Sequence, residues 1–162
     1  MRIIQINTVP ENHILEQLYA INQEHAHYLT DLTNKTDLSK LIELSDIFMY
    51  LIRDNDVLGF LMCFREGSDH QSLNYKYFND RENRFIYIDR IAIRSDHGRQ
   101  GLGSLLYKEL FKVISSLKLS ICCEVYTRPL NTTSLKFHYK NGFRSVGKND
   151  FDKYSVEYLS KF

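Results

Sequence analysis

The sequence contains little of what a linker, a disulfide framework or a membrane span requires. Its 162 residues include only 7 glycines, 2 prolines and 3 cysteines, with no internal repeat and no low-complexity stretch. No apolar run approaches the ~20 residues that cross a bilayer as a helix. The N-terminal stretch MRIIQINTVP also lacks the apolar core of a secretory signal. We therefore expect one domain over residues 1–162, located in the cytoplasm and not associated with a membrane.

An excess of charge of one sign is also missing. Lys and Arg total 21 and Asp and Glu total 20, which gives a formal net charge of +1. A protein that holds nucleic acid by neutralising many phosphates usually carries a basic excess. We expect no nucleic-acid partner, while a pocket for one small anion remains compatible with this balance.

The three cysteines, Cys63, Cys122 and Cys123, do not form a disulfide or zinc pattern. Their number is odd, and the chain is long enough to build a core without disulfides. No Cys-x-x-Cys motif and no His–Cys spacing suggests a metal, so we expect no metal site. Adjacent strand residues point to opposite faces, and free cysteines are usually buried. We expect three buried thiols.

Hydrophobic spacing predicts a chain in which strands and helices alternate. The predicted strands are Arg2–Ile6, Ile47–Arg53, Val57–Arg65, Phe85–Ile93, Ile121–Thr127, Phe143–Gly147 and Tyr154–Leu159. The predicted helices are one after a capping box at Thr8–Glu11, one that begins near Asp37, and two that span Leu102–Leu117 and Asn131–Lys140. The polar segment Glu66–Arg84 is predicted as a long loop. From Phe85 onward, strands and helices alternate so that at least one pair of strands must be parallel.

A glycine-rich turn, Gly98–Ser104, lies between the strongest strand and an amphipathic helix. It is not a P-loop, because no lysine follows Gly103, and it is not a dinucleotide fingerprint, because Leu106 replaces the third glycine. Two interpretations remain. The turn binds a pyrophosphate through the free amides of the helix start, or it is a tight turn without a ligand.

Residues before and after this turn resemble the GNAT superfamily of N-acetyltransferases. Around the turn the matching residues are Ile91-Ala92-Ile93, Gly101 and Gly103. About 30 residues later a second motif matches at Asn131, Ser134, Phe137-His138 and Gly142-Phe143. Within the superfamily, the segments Tyr87–Arg90, Cys123–Val125 and Asn131–His138 are most similar to a little-characterised group of predicted acetyltransferases.

The resemblance implies the fold and the cofactor. It implies an α/β GNAT fold: a mixed, mostly antiparallel sheet of about seven strands, a central splayed parallel pair, and helices on both faces. It implies that acetyl-CoA is the acyl donor. The residues expected to bind coenzyme A are Ile91, Ala92, Ile93, Arg99, Gln100, Gly101, Leu102, Gly103, Ser104, Asn131, Ser134 and Phe137. The family's Arg or Gln at the start of the first motif is replaced by Gly98, and Arg99 follows one place later.

The resemblance also implies an enzyme that transfers an acetyl group directly to a primary amine within a ternary complex. The acceptor is a small-molecule amine or the N-terminus or lysine of a peptide, and a homodimer is compatible with the sequence. Ping-pong transfer through Cys122 or Cys123 is an alternative mechanism. Two other functions stay open: a non-catalytic sensor or interaction module that binds acyl-CoA, and a simple nucleotide-binding module.

Three residues are candidates for catalysis. Glu124 is a lone acid in an apolar strand, and burial would raise its pKa into the range of a general base. The alternative is a structural ion pair with Arg90 or Arg128. Asp89 is the second candidate base, with neutralisation of Arg90 as its alternative.

His138 is the third candidate, because it stands where the family has a tyrosine. There it would protonate the departing thiolate, or it would simply cap the core beneath Phe143. An aromatic rim around the acceptor is also expected, unless its members pack into the core. The rim residues are His25, His27, Tyr28, Tyr75, Tyr77 and Phe78.

Overall fold

The computed structural model describes residues 1–29 and 32–162, which form seven strands and five helices. The strands are β1 (Arg2–Ile6), β2 (Ile47–Arg53), β3 (Asp56–Arg65), β4 (Phe85–Ile93), β5 (Ser120–Arg128), β6 (Arg144–Asp150) and β7 (Ser155–Lys161). The helices are α1 (Asn12–Glu24), α2 (Lys35–Leu44), α3 (Leu73–Asn79), α4 (Leu102–Ile114) and α5 (Thr132–Lys140). Among these residues, no helix is both long and apolar enough to cross a membrane.

The strands form one mixed sheet in the order β1-β2-β3-β4-β5-β7-β6. Every neighbouring pair is antiparallel except β4 and β5, which are parallel and joined through α4. This confirms the predicted sheet of about seven mostly antiparallel strands with one parallel pair at its centre. The parallel pair follows from the crossover helix, because a hairpin cannot join parallel strands.

Buried side chains cover both faces of the sheet. One cluster joins α1, α2 and α3 to one face, and a second joins α4 to the other. Cys122 belongs to the first cluster and Cys123 to the second, so these adjacent residues do point to opposite faces. Cys63 is buried as well, and all three cysteines are free thiols, as predicted.

Two predictions about the helices were wrong. Glu11 precedes α1 but makes no side-chain capping bond, so the predicted capping box is absent. The helix α4 ends at Ile114, so Leu117 lies beyond it, and both Leu117 (38% exposed) and Val113 (37%), which lies within the helix, fall outside the buried stripe. The stripe itself holds at Leu106 and Leu110, which are fully buried.

The predicted loop 66–84 contains the helix α3. Its N-cap is Ser72, whose hydroxyl accepts a hydrogen bond from the Tyr75 amide at 3.2 Å. Tyr75 and Phe78, three residues apart on this helix, are buried against the sheet. The helix has only seven residues, too few to show a clear helical period in the sequence.

Candidate active site

A gap opens between β4 and β5 at the centre of the sheet. The parallel ladder joins only Phe85–Tyr87 to Ser120–Cys122, and beyond these residues the two strands separate. The predicted splayed pair is therefore present. The gap leaves one side of the second half of β4 without a partner strand.

A β-bulge in β4 places two consecutive side chains on one face. Cys63 is opposite Ile88 and Met62 is opposite Arg90, so Asp89 is the extra residue. Asp89 and Arg90 both line the same cavity, whereas strand neighbours normally face opposite ways.

Beyond the bulge, the backbone of β4 alternates between β3 and the gap. The Arg94 amide donates to the Leu58 carbonyl at 2.8 Å, which fixes the antiparallel alternation with β3. By this alternation, Ala92 directs its backbone groups at β3, and Ile91 and Ile93 direct theirs into the gap. The Ile93 carbonyl already accepts a hydrogen bond from Nε2 of His25 at 2.7 Å. Of the three β4 residues predicted to bind coenzyme A, Ile91 and Ile93 direct their backbone groups into the gap, and Ala92 does not.

The turn before α4 has the geometry of an anion-binding loop. Arg99 and Gly101 have positive φ angles of 61° and 75°, and Gly101 is the N-cap of α4. The amide of Leu105 is the first one in the helix to be bonded, and it donates to the carbonyl of the N-cap residue Gly101. The amides of Leu102 to Ser104 are therefore free of intrahelical partners at an exposed helix start.

The two glycines of the motif serve different purposes. A Cβ on Gly101 would meet nothing within 4 Å, so this glycine is needed for its left-handed backbone. A Cβ on Gly103 would lie 3.3 Å from Cζ of Phe137. Phe137 also packs on Tyr107, with ring centroids 5.1 Å apart. Close packing of α4 against α5 is thus one reason for the glycine at position 103.

The polar residues of the second motif hold α5 together. Oδ1 of Asn131 accepts from the Ser134 amide at 3.2 Å and caps the helix. Nδ1 of His138 donates to the Ser134 carbonyl at 2.7 Å, and Nε2 accepts from the Tyr107 hydroxyl at 2.5 Å. This arrangement fits the structural alternative for His138.

The surroundings of His138 point the same way. The side chain is 3% exposed, and burial lowers its pKa. Its ring meets that of Phe143 edge-on, with centroids 5.1 Å apart. His138 is not among the residues that line the cavity described next. Its role toward a thiolate stays a prediction.

Glu124 and Asp89, the two candidate bases, meet in a cavity of about 160 Å³ beside the gap. Its walls come from the segment after α1, from the start of α3, from β4 and β5, and from the segment just before β7. The lining residues are Tyr28, Leu29, Ser72, Leu73, Asn74, Asp89, Arg90, Glu124, Tyr126 and Tyr154.

Glu124 lies in this cavity with a strongly raised pKa. Burial raises its pKa to about 8, and the nearby charge of Asp89 contributes in the same direction. The Tyr87 hydroxyl donates to Oε2 of Glu124 at 2.6 Å, which favours the carboxylate and opposes part of the shift. Arg128, one of the two expected ion-pair partners, instead donates to the Phe151 carbonyl at 2.6 Å.

The pKa of Asp89 is shifted in the opposite direction to that of Glu124. Burial alone would raise its pKa, but hydrogen bonds from His70 and Arg90 outweigh burial and lower it. Nε2 of His70 donates at 2.7 Å and Nε of Arg90 at 2.9 Å, one to each carboxylate oxygen. The predicted neutralisation of Arg90 is thus present, and Asp89 stays ionised. The side chain of Arg90 also donates to Oδ1 of Asn22 on α1 at 2.7 Å.

Comparison with known sequences decides the family. A sequence profile described as the acetyltransferase (GNAT) family matches residues 9–143. The chain belongs to the GNAT family. No protein with a curated description matches the sequence.

Solved structures share the GNAT fold of this chain at low sequence identity. The ribosomal-protein-S18-alanine N-acetyltransferase of Escherichia coli superposes with a TM-score of 0.68 and 14% identity, over 98% of this chain and 92% of that one. NAA60 of Arabidopsis thaliana, in complex with a bisubstrate analogue, gives 0.71 and 14%, over 99% and 98%. An aminoglycoside 6'-N-acetyltransferase complexed with coenzyme A gives 0.74 and 12%, over 99% and 96%.

The cysteines of this GNAT protein are poorly suited to ping-pong transfer. Burial raises the pKa of Cys122 to about 12 and raises that of Cys123 well above its usual value. A buried thiol in apolar surroundings is inert, because the thiolate is the nucleophile. Neither Cys122 nor Cys123 is therefore suited to carry an acyl group.

Two contributors to this GNAT site were missed in the sequence. His70 donates a hydrogen bond to Asp89 from a segment that was predicted as loop. Tyr87, on the neighbouring strand β4, donates one to Glu124. Tyr28, a member of the expected rim, does line the cavity, together with Tyr126 and Tyr154.

Most of that rim lies elsewhere. Tyr75 and Phe78 are core residues, 1% and 2% exposed, and Tyr77 stacks on Tyr158 at 3.7 Å. For these three the alternative of core packing applies. Tyr75 and Phe78 are three residues apart and share one side of α3, but a helix of seven residues is too short for the sequence alone to reveal that spacing.

Proposed function

We propose that this GNAT protein is an acetyl-CoA-dependent N-acetyltransferase that transfers its acetyl group directly to a primary amine. One observation carries the proposal: a cavity that contains Glu124, with a pKa of about 8, opens beside the gap between β4 and β5. The gap is bordered by the backbone groups of Ile91 and Ile93, which point away from β3. Donor and acceptor can therefore meet at a general base.

Coenzyme A would bind along the gap. The pyrophosphate would accept hydrogen bonds from the amides of Leu102–Ser104, where the helix dipole also favours an anion. The amides of the pantetheine arm would pair with the backbone of Ile91 and Ile93. The side chains of Asn131 and Ser134 already bond within α5, so their contribution would be to hold that helix beside the arm.

The two carboxylates would divide the work at the acceptor. An alkylammonium has an ordinary pKa of about 10.4 and must lose a proton before it can attack. Asp89 stays ionised in its pair with Arg90, and its charge helps to hold the pKa of Glu124 high, so that Glu124 is the group that accepts the proton. Environments that push the pKa values of two acids apart are the usual basis for such a division.

The transfer step then balances without a further reactant. The amine lone pair attacks the thioester carbonyl, the C–N bond forms, and the C–S bond breaks with its electron pair on sulfur. The acylated nitrogen loses its second proton to solvent, and the thiolate takes a proton from His138, as first predicted, or from Tyr139 or water, while a backbone amide would stabilise the thiolate by a hydrogen bond only. The burial of His138 favours the second group of donors.

Turnover with a panel of primary amines tests the proposal. We expect mass spectrometry to detect N-acetylated product and free CoA from acetyl-CoA at pH 8.5. In Glu124→Gln, kcat should fall about 10²-fold with little change in the Kd for CoA. Glu43→Gln, on the exposed face of α2, is the matched control and should behave as wild type. CoA binding without turnover of any amine would favour the acyl-CoA sensor instead.

A further inference from the structure

Three tyrosines form one side of the cavity proposed for the acceptor. The rings of Tyr126 and Tyr154 stack with centroids 5.0 Å apart and planes 13° apart. The ring of Tyr28 meets that of Tyr126 edge-on at 6.1 Å. Aromatic faces attract cations and also cover apolar groups. This wall is therefore suited to an ammonium attached to an apolar body.

The charges that line the cavity match a single ammonium group. Within residues 1–29 and 32–162, the charged lining residues are Asp89, Arg90 and Glu124. Asp89 and Arg90 form an ion pair at 2.9 Å, so together they contribute no net charge. Glu124, when ionised, supplies the one negative charge left over. Among the described lining residues, a second ammonium on the same acceptor would find no further carboxylate that is not already paired with a cation.

The cavity is also small. Its volume of about 160 Å³ is close to that of an engineered apolar cavity of ~150 Å³ that holds one benzene molecule. Leu73 lines the cavity and is 62% exposed, which places an apolar side chain at its mouth. One ring or a short alkyl chain fits inside, while an aminoglycoside or a folded peptide segment would extend out of it.

We propose that the acceptor is a monocationic primary amine with a compact aromatic or apolar body. This rests on the proposed function, since it takes this cavity as the place of acetyl transfer. Phenethylamine is the simplest probe of that class. Ethanolamine lacks the apolar body, and spermidine and kanamycin carry several positive charges.

Steady-state kinetics at pH 8.5 with acetyl-CoA compare these four amines. We expect kcat/KM for phenethylamine to exceed that of each other amine at least tenfold. If ethanolamine, spermidine or kanamycin equals or exceeds phenethylamine, the inferred class of acceptor is wrong while acetyl transfer itself stands.

Matched variants locate the preference in the cavity wall. Leu73→Ser and Tyr154→Leu should raise KM for phenethylamine about three- to tenfold, and by more than they raise KM for ethanolamine, which lacks the apolar body. Leu117→Ser alters an exposed leucine beyond α4, away from the cavity, and should match wild type. Circular dichroism checks that each variant is folded. Unchanged KM values in folded Leu73→Ser and Tyr154→Leu would overturn the inference.

A binding measurement separates this inference from the proposed function. Calorimetry of phenethylamine with the CoA-bound protein requires no turnover. If phenethylamine binds but no amine is acetylated, the inferred ligand class holds and the catalytic proposal fails. If ethanolamine is acetylated but phenethylamine does not bind, the catalytic proposal holds and the inference fails. With neither binding nor turnover, both are wrong.

Discussion

The hydroxyl of Tyr87 donates a hydrogen bond to Oε2 of Glu124 across 2.6 Å, where the parallel strands β4 and β5 begin to separate. Tyr87 is the last residue of β4 that pairs with β5, and Glu124 lies two residues beyond its partner Cys122. The bond therefore spans the start of the gap and controls how readily the Glu124 carboxyl ionises.

Removing that bond should move the pH dependence of the reaction. Because the Tyr87 hydroxyl favours the carboxylate, Tyr87→Phe should raise the pKa of Glu124 above its value of about 8. The acidic limb of the kcat/KM profile should then shift alkaline by about half a unit to one unit. Tyr75→Phe, which removes a buried hydroxyl that bonds the Arg65 carbonyl, is the control and should leave the profile in place. An unshifted profile in Tyr87→Phe would show that Glu124 is not the group being titrated.

The raised pKa of Glu124 also predicts how stability depends on pH. The carboxyl has a pKa of about 8 in the folded protein against an ordinary value of 4.5. Between these values the folded state holds a proton that the unfolded chain has released. Stability should therefore fall as the pH rises through this window.

Urea denaturation of wild type and Glu124→Gln at pH 5, 6.5 and 8 measures this effect. The free energy of unfolding of wild type should decrease relative to that of the variant as the pH rises. Glu43→Gln should follow wild type at all three pH values. Parallel curves for wild type and Glu124→Gln would mean that burial does not disfavour the ionised form.

The two glycines of the turn should respond differently to substitution. Gly101→Val forces a β-branched residue into a left-handed backbone and should distort the turn, lowering CoA affinity more than tenfold. Gly101→Asn tolerates that backbone and should bind CoA much more tightly than Gly101→Val. Calorimetry with CoA gives both values, and equal affinities for the two variants would exclude backbone geometry as the cause.

Gly103→Val instead tests the packing of α4 on α5. Its added side chain meets Phe137, so the melting temperature should fall. Gly103→Ala should lower the melting temperature less than Gly103→Val, because it adds only the Cβ, at 3.3 Å from Cζ of Phe137, and no further methyl groups. A stable Gly103→Val protein that has lost CoA binding would assign this glycine to the cofactor and not to packing.

His138→Phe separates the two roles considered for that residue. The substitution leaves the buried Tyr107 hydroxyl without its acceptor, at a cost of about 1–3 kcal/mol. We expect a lower melting temperature and an unchanged kcat per folded molecule. The double variant Tyr107→Phe/His138→Phe should recover part of the loss, because both polar partners are then removed. A lower kcat at wild-type stability would instead support His138 as the acid for the thiolate.

The sequence predicted the parts of the fold that rest on long, regular patterns. The strand predicted at Phe85–Ile93 is β4 to the residue, and the strand predicted at Ile47–Arg53 is β2 to the residue. Short elements were harder, because seven residues of α3 give fewer than two helical turns. The β-bulge at Asp89 was beyond prediction from one sequence, since it depends on the register with β3.

The residues of the candidate site also differ in how far the sequence alone could reveal them. Glu124 could be found because a lone acid stands out in the apolar strand ICCEV. His70 could not, because its partner Asp89 is 19 residues away and no periodic pattern connects them. The second-motif residues match the family by position, yet the side chains of Asn131 and His138 form bonds within α5 and to Tyr107 that only the tertiary structure reveals.

The bulge at Asp89 lets one strand present two charged side chains to the cavity from consecutive positions. Up to Ile88 the side chains alternate in one phase, and from Ile91 onward they alternate in the other, with Ile91 and Ile93 packed toward α4 and Ala92 on the opposite face. Deleting either Asp89 or Arg90 would restore a regular strand that presents a carboxylate or a guanidinium to the cavity, but not both. Ile91–Ile93 would keep their faces and their pairing with β3, because the extra residue of the bulge is the one removed. A deletion at this point should therefore change the charge of the cavity while leaving the sheet intact.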